Sequence, residues 1–160
     1  MTLKELRIAK KITQLEASKY LSISLRSYKD YENNPDKEDT FKYKYMFEKL
    51  QQLNYIDEEH GVLTLDEIKS IASNVFDKYE VSYCYLFGSY ARNEASETSD
   101  VDLLICTKVD GLRFFGLIEE LRVSLGKKVD LLGLEQLKGN YELTTEILKD
   151  GIKIYERKQK

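Results

Sequence analysis

The sequence predicts an α+β chain: an all-helical front part, then a small α/β unit built on a mixed sheet. Three observations carry that expectation. Through the first 53 residues apolar positions recur at helical spacing, broken only by short polar caps and turns. From Thr64 onward short strand-like runs alternate with helical patterns, the arrangement of helices packed on a sheet. Charge divides along the same line: residues 1–50 carry 11 Lys and Arg against 8 Asp and Glu, a net of +3, whereas residues 51–160 carry 14 against 20, a net of −6. A basic front and an acidic back point to two modules with different partners. The expected division is 1–56 and 62–160, with the acidic stretch NYIDEEHGVL, residues 54–63, as the linker.

In the front part, LKELRIAKK offers Leu3, Leu6 and Ile8 to a first helix. Thr13 is a good N-cap for a second, with Leu15, Ala17, Tyr20 and Leu21 available to the interior. Ser22-Ile23-Ser24 makes a short turn, and Ser24 can cap a third helix, LRSYKDYEN, whose Tyr28 and Tyr31 share a face. Asn33-Asn34-Pro35 ends it, Pro35 being the only proline. A fourth helix covers about residues 40–53; its run FKYKYMF reads as core at Phe41, Tyr45 and Met46, the alternative being stacking on nucleic acid.

In the rear part, Thr64-Leu65-Asp66-Glu67 is a capping box for a helix over 64–79, with Leu65, Ile68, Ala72, Val75, Phe76 and Tyr79 as its apolar stripe. Strands follow at 82–88 and 101–106, then a helix at 111–125 that turns Phe114, Leu117, Ile118, Leu121 and Leu125 inward and stops at Gly126. A strand at 128–132, a helix at about 141–149 and a last strand at 152–155 complete the order α-β-β-α-β-α-β.

Composition narrows the setting. At 160 residues, 33% charged and 42% hydrophobic, the chain suits a soluble protein of one medium domain or two small ones. No apolar run approaches the roughly 20 residues of a membrane span, and MTLKELRIAKK, with Glu5, does not resemble a signal peptide. Cys84 and Cys106 both fall in expected strands and read as free thiols in a reducing compartment. These features predict a cytoplasmic protein without a membrane partner. His60, the only histidine, reads as solvated surface, and one histidine with two strand cysteines falls short of the usual zinc ligand count.

The chemistry concentrates in YLFGSYARNEASETSDVDLLI, residues 85–105. Residues two apart on a strand point the same way, so Asp100 and Asp102 place two carboxylates on one face. Like charges at that range raise each other's pKa unless a cation lies between them. The nearest basic residues in sequence are Arg92 and Lys108, so a divalent metal is the natural partner; oxygen ligands and substrate phosphates suit Mg2+. Gly88 lets the backbone approach a phosphate and Ser89 adds a hydroxyl donor. Asp130 interrupts an otherwise apolar strand, where a charge is costly unless paired or bound to metal; Lys127 or Lys128 is the alternative partner. Arg92 is either a phosphate ligand or a plain exposed charge. Together these residues predict a metal-dependent nucleotide site.

Two stretches resemble known families. LKELR, ITQLEASKYLSIS and LRSYKDYE, within residues 3–53, resemble the Xre/Cro-type helix-turn-helix domains. The resemblance implies operator DNA as a partner, with Gln14 on a phosphate and Ser24, Leu25, Arg26 and Lys29 facing the major groove; Asn33 stands where the family prefers glycine. A helical module for protein contacts alone is the other reading. LFGSYAR, ten residues from Tyr90 to Ser99, then Asp100-Val101-Asp102, VDLL at Val129 and the closing ILKDGIKIYE resemble the minimal nucleotidyltransferases, a branch of the polymerase-beta-like superfamily, over residues 64–156. Asn93 replaces a common glycine there, one residue tolerant of a left-handed turn for another.

This second resemblance implies transfer of a nucleoside monophosphate with release of pyrophosphate. Asp100, Asp102 and Asp130 would be the catalytic and metal-holding acids, two Mg2+ ions the cofactors and ATP the substrate. Asp130 would take the proton of the acceptor hydroxyl, and Gly88, Ser89 and Arg92 would bind the nucleotide. The resemblance further implies an antitoxin that adds AMP to a tyrosine of a HEPN-domain toxin, with the front module repressing its own promoter. Two other functions stay open: a DNA-binding regulator using the rear fold as a ligand sensor, and a small-molecule nucleotidyltransferase that modifies antibiotics. The sequence does not fix the nucleotide, the operator or the oligomeric state, and leaves a homodimer open.

Overall fold

Threonine and serine caps set the start of each front helix. The computed structural model describes residues 1–159 and falls into two compact units, Met1–Tyr55 and Ile56–Lys160. In the first, α1 (Leu3–Ala9), α2 (Gln14–Tyr20), α3 (Leu25–Asn33) and α4 (Phe41–Gln52) follow the caps Thr2, Thr13, Ser24 and Thr40, each accepting a backbone N–H three residues on. Thr13 and Glu16 close a full capping box. Pro35 opens a single 3-10 turn over Pro35–Lys37.

The interior of this unit is Leu3, Leu6, Ile12, Ala17, Tyr28, Tyr43, Met46, Leu50 and Leu53. Three expectations from the sequence change here, the first being Ile8, which is 57% exposed instead of interior. In α4 the inward stripe is Tyr43, Met46 and Leu50, whereas Phe41 is 85% exposed and Tyr45 half-exposed. Aromatics alternating with lysines through FKYKYMF left the helical phase ambiguous, and the Tyr43 hydroxyl, accepting the Leu3 N–H at 2.9 Å, fixes it. In α2, Ala17 and Ser18 face inward while Leu15 and Tyr20 lie largely outside. Beneath α3 a bidentate ion pair joins Arg7 to Glu32, with Nη2–Oε1 at 2.9 Å and Nε–Oε2 at 3.1 Å, and the Glu32 side chain is fully buried.

The second unit contains α5 (Leu65–Phe76), β1 (Val81–Phe87), the single turn α6 (Gly88–Ala91), β2 (Val101–Thr107), α7 (Gly111–Leu125), β3 (Val129–Gly133), α8 (Tyr141–Asp150) and β4 (Ile152–Glu156). Thr64 and Glu67 form the expected capping box of α5, although Leu65 is 39% exposed rather than on the buried stripe. Gly126, left-handed at φ 68°, ends α7.

The sheet order is β3-β2-β1-β4, with β1 antiparallel to β2 and β4 and β2 parallel to β3. One face carries Cys84, Leu86, Leu103, Ile105, Leu131 and Ile154, packed with Ile68, Ala72 and Phe76 of α5 and Leu117 and Leu121 of α7. Burying a side chain of this size contributes roughly 1.5–3 kcal/mol. The opposite face carries Phe87 and Leu104 under Ile147 and Leu143 of α8. Strand alternation puts Asp102 on that second face. Both cysteines are free; Cys84 is buried, which pushes its thiol pKa up, and Cys106 is half-buried.

The expected linker at 54–63 is not a bare connector. Leu63 is buried in the second core and Ile56 packs against it. Asp57 accepts the His60 backbone N–H at 2.7 Å and meets its ring Nδ1 at 2.8 Å. The physical reason is local: the two apolar residues need cover, and Asp57 closes the turn between them. Among the described residues, no helix is long and apolar enough to cross a membrane.

Candidate active site

Strand β1 runs into Gly88, whose φ of +69° is a conformation other residues rarely adopt. A Cβ built there would lie 2.1 Å from Asp102 Oδ2, so only glycine lets the turn lie against that carboxylate. The turn closes through Arg92 N–H to the Gly88 carbonyl at 3.2 Å and Glu94 N–H to the Ser89 carbonyl at 2.9 Å. Asn93 takes φ 58°, the left-handed conformation its place in the motif requires. Ser89 is half-buried, and its hydroxyl has no hydrogen-bond partner among the described residues.

The register brings acids from two strands together. Asp102 pairs with Phe87 on one side and with Asp130 of the parallel neighbour on the other. Paired residues in adjacent strands face the same way at close range, so both carboxylates rise from the α8-covered face. Asp100 lies just before β2 and is exposed, as is Asp130; Asp102 is half-buried. Asp102 is pushed up to about 6, first by burial, then by Asp130, Asp100 and Glu146, with Arg92 opposing. The three acids therefore share one field.

The alternative partners for Asp130 are elsewhere. Lys127 is fully buried and donates to the carbonyls of His60 and Glu97, and Lys128 is exposed without an ion pair among the described residues. Arg92 reaches the same neighbourhood, but its guanidinium is engaged by Glu94 at 3.0 Å and by Glu146 of α8 at 2.9 Å. Glu146 was not singled out from the sequence. Its only signal is a place beside Ile147 on the helix that covers this face.

The donor set fits a hard divalent cation. The Asp102 carboxylate has no hydrogen bond or ion pair among the described residues, and its ionisation is opposed by two further aspartates. A cation removes that penalty. Among the described residues no three His, Cys, Asp or Glu side chains are placed closely enough to hold a metal ion by themselves. The acids form an open shelf, as expected where phosphates and water complete the coordination.

The residues expected to contact DNA belong to the first unit. Ser24, Arg26 and Lys29 are exposed at the start of α3, and Leu25 is half-buried. Ser24, Arg26, Ser27 and Asp30 line a shallow cleft. Gln14, half-buried at the start of α2, turns its amide to the Glu32 carboxylate.

A glycine turn pressed against acids from adjacent strands of a mixed sheet is an arrangement suited to a cation beside a phosphate. The family model described as polymerase beta, nucleotidyltransferase matches residues 66–160, and the chain belongs to that family. It is 42% identical over 84 residues to MJ0128 of Methanocaldococcus jannaschii, provisionally named a protein adenylyltransferase, spanning 49% of this chain and 86% of that protein. It is 38% identical over 90 residues to the protein adenylyltransferase MntA of Thermococcus cleftensis, spanning 52% and 91%. Among solved structures it resembles a toxin–antitoxin complex with AMP-PNP, with a TM-score of 0.49 and 21% identity over 57% of this chain and 75% of that one. It also resembles a complex of tri-AMPylated Shewanella oneidensis HEPN toxin with MNT antitoxin, with a TM-score of 0.46 and 18% identity over 59% and 74%.

Proposed function

We propose that the chain transfers AMP from ATP, with Mg2+, to a tyrosine hydroxyl of a HEPN-domain toxin and so acts as its antitoxin. The observation that carries this reading is the Asp102–Asp130 pairing across β2 and β3, backed by a glycine that tolerates no side chain. A protein acceptor is supported by the likeness to a named protein adenylyltransferase over 91% of that relative's length.

The residues suit the chemistry. Gly88 and Ser89 present a close backbone and an unpaired hydroxyl to the outgoing phosphates. Arg92 borders the same space and adds a positive charge. Asp100, Asp102 and Asp130 would hold Mg2+, which when bound would supply counter-charge to the triphosphate and acidify the acceptor hydroxyl. The acceptor oxygen attacks the α-phosphorus, the bond to the pyrophosphate oxygen breaks, and Asp130, exposed on β3, accepts the hydroxyl proton.

The first unit is proposed to bind operator DNA. Supporting this, Arg26 and Lys29 are exposed at the start of α3 and make no ion pair among the described residues. Alanine at both should weaken operator binding and narrow its margin over unrelated DNA.

The test of the enzymatic reading is intact-mass spectrometry of this chain co-expressed with the product of the adjacent gene. The expected result is a gain by the partner of the mass of an adenylyl group, AMP less water, lost with D100N/D102N. Equal labelling by the double variant would sink the assignment. ATP binding without transfer to the partner would favour a ligand-sensing regulator, and protection of cells from aminoglycosides by this gene alone would favour a small-molecule acceptor.

A further inference from the structure

We infer that Lys127 is a positioning residue for Asp100, holding the loop before β2 so that this carboxylate is delivered beside Asp102 and Asp130. The inference rests on reading the three acids as cation ligands.

Lys127 is 0% exposed, with Lys128 and then β3 following it. A buried ammonium is costly unless paired, and here its partners are main-chain carbonyls: Nζ donates to His60 O at 3.0 Å and to Glu97 O. Among the described residues no carboxylate forms an ion pair with it, although Asp57 and Glu97 lie within electrostatic reach. A methionine would fill the same volume without the desolvation cost, so packing alone does not explain a charge here.

What the charge secures is geometry. Glu97 belongs to the loop between α6 and β2, and its carboxylate accepts the Gly61 N–H at 3.3 Å. One step further on, Ser96 to Ser99 form a closed turn: Ser99 N–H donates to Ser96 O at 3.1 Å and Ser96 N–H to Ser99 Oγ at 2.8 Å. Asp100 comes next. Immediately after it, Val101 N–H donates to Lys128 O at 2.9 Å. The 127–128 dipeptide thus grips the chain on both sides of Asp100, by a side chain at Glu97 and by a carbonyl at Val101. The same dipeptide leads into Val129 and Asp130, so the separation of the β2 acids from the β3 acid is set by one short stretch. Groups that orient metal ligands in this way typically change metal affinity by ~10–100-fold when lost.

The test uses the full chain with Mn2+ as probe, read by electron paramagnetic resonance with and without AMP-PNP, together with amide hydrogen exchange and thermal melts. K127M should weaken Mn2+ binding by ~10–100-fold and speed exchange at the Ser99 and Val101 amides, while a cooperative melt shows it is folded. K127R, which keeps the charge and can reach both carbonyls, should recover most of the loss. A folded K127M with wild-type Mn2+ affinity overturns the inference. If K127M does not fold, K127Q takes its place: weakened Mn2+ binding with faster exchange at Ser99 supports the inference, and wild-type Mn2+ affinity overturns it. A wild-type chain that binds Mn2+ no better than D100N/D102N overturns the functional reading itself.

Discussion

Asp102 should make the chain less stable at neutral pH, and replacing it with asparagine should make the chain more stable. Its pKa rises from the ordinary 3.8 to about 6, by burial first and then by Asp130, Asp100 and Glu146. A raised carboxylate pKa means the folded state holds the proton more tightly than the unfolded one. Stability therefore falls as pH climbs from 3.8 toward 6, and the whole penalty is present above that. Two pH units correspond to a ceiling of about 3 kcal/mol. Asp102 is only half-buried, so solvent screening reduces this to ~1–2 kcal/mol. For a unit of this size that is a rise in melting temperature of ~4–8 °C. Scanning calorimetry of D102N against wild type in chelator should show the gain at pH 8 and none at pH 3.5. Added Mg2+ should then raise the wild-type melt and leave D102N behind, because the cation supplies the counter-charge that asparagine does not need. A D102N protein that melts at or below wild type at pH 8, or that keeps its advantage unchanged at pH 3.5, would refute the account of the site as an uncompensated cluster of acids.

Three further outcomes follow from the geometry. G88A must move Asp102, because its Cβ would lie 2.1 Å from Oδ2, and must hold φ near +69°; a loss of ~1–3 kcal/mol by urea unfolding, with AMP transfer abolished, is expected. E32Q or R7M leaves one member of a buried pair uncompensated; hydrogen exchange of α1 and α3 should report a loss of ~3–5 kcal/mol, with the β1 and β2 amides unaffected. D130N should lower transfer by ~100-fold or more, since this acid is assigned both a share of the cation and the acceptor proton; the rate of mass gain by the partner checks it.

Local signals account for most of the element boundaries. Thr13, Ser24 and Thr64 cap their helices as their side chains dictate, and Gly126 ends α7 because it alone can turn left-handed there. The failures came where local pattern was degenerate. In FKYKYMF either of two helical phases buries aromatics, and a contact forty residues away at Leu3 decides between them. In 54–63 a polar composition concealed Leu63 and Ile56, which a core distant in sequence takes up.

At the site, the order of residues alone tells which groups carry charge and how closely they follow one another. Asp100 and Asp102 sit two apart, and Gly88 and Ser89 end a strand. Only the tertiary structure decided their company. Parallel pairing of β2 with β3 sets Asp130 opposite Asp102, the buried ammonium of Lys127 is sent to carbonyls instead of to Asp130, and α8 brings Glu146 against Arg92. The physical reason is range: caps, turns and strand alternation act within a few residues, whereas the field at a carboxylate is the sum over every charge that folding brings near it.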